Sequence, residues 1–213
     1  MPFDQRDQPP PRGEPAINLP PITLGLIVLL LVLHLLRQML SVETDDSLIL
    51  FFSVVPARYF GDAPADELSL LLAPLAHMFL HADWAHVGIN AATLAAFGAP
   101  VERFLGGWRY IVFYLVTGIA GALLHALIYP TSMDPMLGAS GAISGLFGGL
   151  LLLMRERGRM NALIPFAILW IVMQVGLGFF GTTTGGDQIA WAGHVGGFIA
   201  GLLLVRPFAG WRW

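Results

Sequence analysis

Long apolar runs without Asp, Glu, Lys or Arg alternate with short segments of charge, proline and glycine along this chain. Residues 22–36, 111–128 and 163–180 are uncharged throughout. At about 20 apolar residues per bilayer crossing, runs of hydrocarbon length fall at 22–40, 84–100, 108–129, 161–180 and 188–205. A sixth run, 140–154, is shorter. The pieces 48–55 and 68–80 are broken by Pro56, Arg58, Asp62, Asp66, Glu67 and Pro74, so they are read as lying at the interface. The pattern predicts an all-α membrane protein with six transmembrane helices, a short fourth helix and a long interfacial first loop. Residues 1–21 are expected to form a disordered cytoplasmic tail, 22–206 the membrane domain, and 207–213 a short cytoplasmic C-terminus.

Composition agrees with that reading. The mean hydropathy is +0.71, with 56% hydrophobic and 12% charged residues, far from soluble-protein norms. No cysteine is present, which excludes a disulfide framework and a thiolate metal site. The net charge of -3 says little about partners, and no nucleic-acid partner is expected.

The placement of charge adds a direction. Every basic residue is an arginine. In a six-span arrangement with the N-terminus inside, internal segments hold Arg6, Arg12, Arg103, Arg109, Arg155, Arg157, Arg159, Arg206 and Arg212. Only Arg37 and Arg58 fall elsewhere, which is a positive-inside pattern. Trp108, Tyr110, Trp211 and Trp213 then read as interfacial anchors, and Gly98 to Gly107 as the glycine-rich end of the second helix. The expected location is a bacterial inner membrane, with both termini cytoplasmic.

Two polar groups sit where lipid would penalise them. Ser140 lies in Gly138-Ala139-Ser140-Gly141, and His194 in Gly193-His194-Val195-Gly196-Gly197. Unpartnered polar groups in hydrocarbon cost several kcal/mol, so such residues mark function by default. The fourth run is about 22 Å long at 1.5 Å per residue, about 8 Å short of the hydrocarbon thickness. Arg155-Glu156-Arg157 fixes its inner end, which leaves Ser140 about 8 Å below the outer surface. His194, six residues into the last span, reaches about 9 Å by the same rise. Gly141, Gly145 and Gly149 on one helix, and Gly193, Gly197 and Gly201 on the other, form small-residue faces that permit close packing. A Ser–His dyad is therefore expected, since Asp187 is poorly placed to orient the imidazole.

The second span offers oxyanion donors. His86 and Asn90 are four apart on one helix face, and Asn90 lies about 10 Å deep. The Ser140 amide at a helix start would be a further donor. Interfacial polarity for His81 and His86, and a helix–helix hydrogen bond for Asn90, are the plainer alternatives. His77 and His81 are spaced as an i, i+4 pair, but no acidic partner of the HExxH kind accompanies them. No metal and no cofactor are expected. His34 and His125 read as hydrogen-bonded packing residues.

Taken together, His81…His86…Asn90, Gly98-xxx-Glu102-xxx-Gly106, Gly138-Ala139-Ser140-Gly141 and Gly193-His194-xx-Gly197 resemble the rhomboid intramembrane serine proteases of the basic six-helix form. The resemblance implies a rhomboid-like bundle with Ser140 as nucleophile and His194 as base. It also implies an oxyanion hole of His86, Asn90 and the Ser140 amide, and a fifth span and last external loop that gate substrate access. Two positions depart from the family: Ser144 stands where an aromatic often stacks on the histidine, and residues 41–76 lack a Trp-Arg pair. The expected activity is endopeptidase cleavage of transmembrane segments near the outer leaflet through an acyl-enzyme. The site would open to the outer side, with the glycine- and threonine-rich segment 181–186 as a movable lid. The expected partners are a substrate's transmembrane helix, rich in helix-breaking residues, and the lipid bilayer. Substrate-binding residues are not identifiable. The alternative is a catalytically silent relative that binds membrane clients; a transporter would require an inverted repeat, and none is found.

Overall fold

The computed structural model describes residues 18–158, 191–210 and, between them, 161, 164, 165, 167–170 and 172. The described residues are helical: α1 (Pro21–Arg37), α2 (Val42–Phe52), α3 (Ala57–Phe60), α4 (Glu67–Ala76), α5 (Trp84–Leu105), α6 (Gly107–Ile128), α7 (Ser140–Glu156) and α8 (Trp191–Gly210). A 3-10 turn, His77–Phe79, continues α4. A single antiparallel bridge joins Val54 to Met136. Within the fifth apolar run, the described positions 161, 164, 165, 167–170 and 172 are helical. The segment 181–186, Asp187, Trp211 and Trp213 lie outside the described residues.

Helix boundaries follow local chemistry. Ser41 accepts the Thr44 amide at the start of α2, and Asp66 accepts that of Ser69 at the start of α4, the usual N-cap arrangement. At 11 and 10 residues, each is about half the length a crossing takes. Asp83 caps α5 through the His86 amide at 2.7 Å. That helix does not end near Gly98 but runs through Pro100 to Leu105, where Gly106 at φ 79 breaks it and opens α6. Among the described residues two helices, α6 and α8, are long and apolar enough to cross a membrane.

The Gly98-xxx-Glu102-xxx-Gly106 spacing has a packing explanation. α1 begins at Pro21 without a side-chain cap of its own, so its first amides need a partner. Glu102 supplies it from α5: its carboxylate accepts the Ile22 amide at 3.1 Å, the Thr23 amide at 2.6 Å and the Thr23 hydroxyl at 2.7 Å. A negative charge at a helix N-terminus is favourable. Tyr110 Oη lies 3.2 Å from Thr23 Oγ1, in space left by the missing Cβ of Gly98. Tyr110 is therefore fully buried and is not the interfacial anchor that its position next to Trp108 implies. Trp108 itself is exposed.

α7 is the central helix, with 12 of its 17 residues buried. It packs against α5, α6 and α8 around Leu94, Phe113, Tyr114, Leu146 and Val205. The contact with α8 is backbone to backbone. A Cβ on Gly197 would overlap the Gly141 carbonyl, and one on Gly201 the Gly145 carbonyl. The facing stripes mesh less symmetrically than their spacing implies. Gly145 turns its Cα–H toward Thr117 of α6, Gly149 faces Phe113 and Val205, and Gly148 receives the Phe198 carbonyl. On α6, Gly121 makes room for the Gly193 carbonyl.

Polarity is inverted relative to a soluble protein. Leu35, Leu71 and Leu203 are more than half exposed, whereas Arg37, His77, His81 and Glu102 are buried. Arg37 accounts for its own exception to the arginine pattern. Its guanidinium grips Asp45 through two hydrogen bonds, 2.6 and 2.9 Å, and donates to the His81 carbonyl at 2.7 Å. Arg58, the other exception, donates to the Leu50 carbonyl.

Candidate active site

The segment before α7 is held open from one side. Val54 and Met136 exchange two backbone hydrogen bonds, at 3.0 and 2.8 Å, and the Gly138 amide donates to the His77 carbonyl at 2.8 Å. The Ala139 amide points at His81 Nε2, 3.4 Å away. Gly138 adopts φ 119, a region that side chains disfavour. These bonds consume the amides of Gly138 and Ala139. Ser140 is the first helical residue, and among the described residues its amide has no acceptor, as expected at a helix start.

His194 meets Ser140 across the α7–α8 contact. Its Nε2 lies 2.7 Å from Ser140 Oγ, within the distance an activated nucleophile requires. The ring is 9% exposed. The glycine faces allow this reach, because larger residues at 197 and 201 would hold the two helix axes apart.

His86 borders the same hydroxyl. Its Nδ1 is the acceptor facing the Ala82 amide, at 3.4 Å, which assigns the proton of the neutral ring to Nε2. A Cβ on Gly138 would fall 2.9 Å from His86 Nε2 and 3.7 Å from Ser140 Oγ. The absence of that carbon leaves a gap bordered by both groups. Asn90, also buried, donates from Nδ2 to the His86 carbonyl one turn back. That bond is within α5, so the helix–helix link offered as the plainer alternative for Asn90 is not seen among the described residues.

The other histidines serve separate ends. His81 is fully buried and packs edge-on against His86, ring centroids 5.0 Å apart. Burial first, then the neighbouring His86, His34 and Arg37, lower its pKa to about 3, which keeps Nε2 available as an acceptor. Burial likewise lowers His77 to about 4, and its Nδ1 faces the Ala73 carbonyl at 3.1 Å. His77 and His81 thus point to different partners despite their helical spacing. The His34 ring nitrogens find no hydrogen-bond partner among the described residues, and neither does His125 Nδ1. These two rings pack on Trp84 and Tyr129 instead. Ser144 is buried one turn below Ser140. Sequence reasoning overlooked the backbone straps from His77 and Val54, which carry no residue signature, and Gly121, which stands outside any i, i+4 stripe.

The described residues thus form an apolar-surfaced helical bundle with a hydroxyl–imidazole contact at the start of its central helix. The family model for the Rhomboid domain matches residues 71–210, and the chain belongs to the rhomboid family. It is 34% identical over 140 residues to RHOMBOID-like protein 4 of Arabidopsis thaliana, covering 62% of this chain and 34% of that protein. Rhomboid protease GluP of Bacillus subtilis is 33% identical over 131 residues, covering 62% of this chain and 24% of GluP. Rhomboid protease GlpG of Serratia proteamaculans is 29% identical over 189 residues, covering 86% of this chain and 61% of GlpG. The chain thus spans between a quarter and two thirds of the length of these relatives.

Proposed function

We propose that the protein is an intramembrane serine endopeptidase that cuts transmembrane segments of other membrane proteins. The observation that carries this reading is the 2.7 Å contact between His194 Nε2 and Ser140 Oγ. Similarity to relatives named as proteases supports it. α1, α5, α6, α7, the fifth apolar run 161–180 and α8 are read as six crossings with both termini cytoplasmic and the site facing the outer leaflet. Residues 1–20 and 211–213 are read as flanking tails, since Pro21 opens α1 and 207–210 complete α8.

In this reading His194 takes the Ser140 proton on Nε2 as Oγ attacks the scissile carbonyl carbon. The negative charge that develops on the carbonyl oxygen occupies the gap at Gly138. His86 Nε2–H and the Ser140 amide donate to it there, and Asn90 supplies the remaining donor or holds His86 in place. The protonated His194 then gives its proton to the leaving amine, which departs and leaves an ester on Oγ. A water molecule, deprotonated by His194, attacks that ester, and the Ser140 hydroxyl is regenerated as the new carboxylate leaves. The substrate must offer extended backbone, so transmembrane segments with helix-breaking residues are the expected class.

The test uses purified protein in detergent with a single-pass test substrate, the cut being mapped by mass. Wild type should cleave at one position, and Ser140→Ala should leave the substrate intact. Cleavage by Ser140→Ala at that position overturns the assignment. Intact substrate with wild type, together with no fluorophosphonate labelling of Ser140, favours a client-binding relative without chemistry.

A further inference from the structure

The family's usual aromatic beneath the catalytic histidine is Ser144 here, so His194 must be oriented by other means. Trp191 lies three residues before His194 on α8, nearly one turn toward the helix start. Its indole Nε1 donates to Tyr129 Oη at 2.8 Å, and Tyr129 is the C-cap of α6. The His125 ring, one turn earlier on α6, packs on Tyr129 at 5.2 Å between centroids. Below this pair, the Gly193 carbonyl is seated against Gly121, and the Met136 side chain closes over Gly193. The first turn of α8 is therefore held between α6 and the loop that leads to Ser140.

We infer that the Trp191–Tyr129 hydrogen bond positions His194, fixing the first turn of α8 so that Nε2 stays in contact with Ser140 Oγ. The inference rests on the proposed hydrolase reading. Trp191 and Tyr129 act through His194 and touch no reacting atom, so both are positioning residues. The bond ties the start of α8 to the end of α6, whose other contacts run from Gly121 against the Gly193 carbonyl to Phe113 against Phe208 at the far end, so its loss is expected to loosen the turn that carries His194. A slide of 1 Å is enough to spoil alignment between a base and its nucleophile.

The experiment measures fluorophosphonate labelling of the purified full chain, resolved into a binding constant KI and a maximal rate kinact. Melting temperature is recorded in parallel. The proteins are wild type, Ser140→Ala, Tyr129→Phe, Trp191→Phe and the double variant. Tyr129→Phe keeps its ring and deletes the acceptor, while Trp191→Phe keeps an aromatic ring and deletes the donor. The expected result is a fall in kinact of about threefold to tenfold for each, the range one hydrogen bond covers, with KI unchanged. The double variant should be no slower than either single, because all three break the same bond. Wild-type kinact in both single variants overturns the inference. So does a loss that multiplies in the double variant, or a fall in melting temperature with kinact intact. Absence of labelling in wild type would instead remove the hydrolase reading itself, so the two failures are distinguishable.

Discussion

His86 shows how far a single residue can be understood from its surroundings. The sequence places it one turn before Asn90 on an exposed helix start. The structure adds the Asp83 cap on its amide, the Ala82 contact that assigns its proton, and the gap at Gly138. In the proposed mechanism, loss of one oxyanion donor costs about 10²–10³ in rate. His86→Ala should therefore lower kcat by about that factor with little change in KM, measured on the test substrate. His81 makes a different prediction. Its folded pKa of about 3 lies below the ordinary value of 6.5, so the unfolded chain binds the extra proton between these limits. Stability from this group is fully present above about pH 6.5 and is lost as pH falls toward 3. Melting temperature should decline across that window, and His81→Gln, which cannot titrate, should show a shallower decline. The serine, the histidine pair and their glycine settings were legible because lipid makes buried polar residues conspicuous. Burial of Tyr110 was not legible, since a tyrosine beside a tryptophan at a helix start reads as an anchor until Gly98 and Thr23 are seen beneath it.

At the scale of helices, glycine spacing revealed that α7 and α8 meet but not how. The i, i+4 stripes are a one-dimensional signal, while the actual contact uses Gly197 and Gly201 against carbonyls and turns Gly145 toward α6. Position therefore decides the cost of the same substitution. Gly197→Ala places a methyl on the Gly141 carbonyl and should destabilise the fold by about 2 kcal/mol or more, because backbone cannot step aside as a flexible side chain can. Gly88→Ala meets nothing within 4 Å and should stabilise α5 by about 0.5–1 kcal/mol. Unfolding of both variants in mixed micelles would check the contrast. The glycine-rich stretch 98–107 does hold the end of α5, but at Gly106, beyond the apolar run that stops at 100; Pro100 lies inside the helix, and Glu102 beyond it holds the start of α1.

For the whole molecule, hydropathy marks the apolar runs, and arginine placement proposes a direction for them. The absence of cysteine makes that direction measurable. Single cysteines at Asp134 and Arg157, exposed positions at opposite ends of the bundle, should react differently with an impermeant maleimide on intact cells. The cysteine replacing Asp134 should label at once, and the one replacing Arg157 only after permeabilisation. The reverse result would invert the proposed orientation. The first loop was the least legible region. Its helices are short, and its ties to the segment before Ser140 run through backbone groups at Val54 and His77 that no side chain announces.

His194 of α8 contacts Ser140, while His86 of α5 borders the gap at Gly138 beside it, and in the proposed mechanism this has a stereochemical consequence. A planar carbonyl that aims its oxygen at His86 and its nitrogen at His194 can present only one of its two faces to Oγ. The direction in which a polypeptide threads the cleft is then set by the fold, whatever side chains it carries.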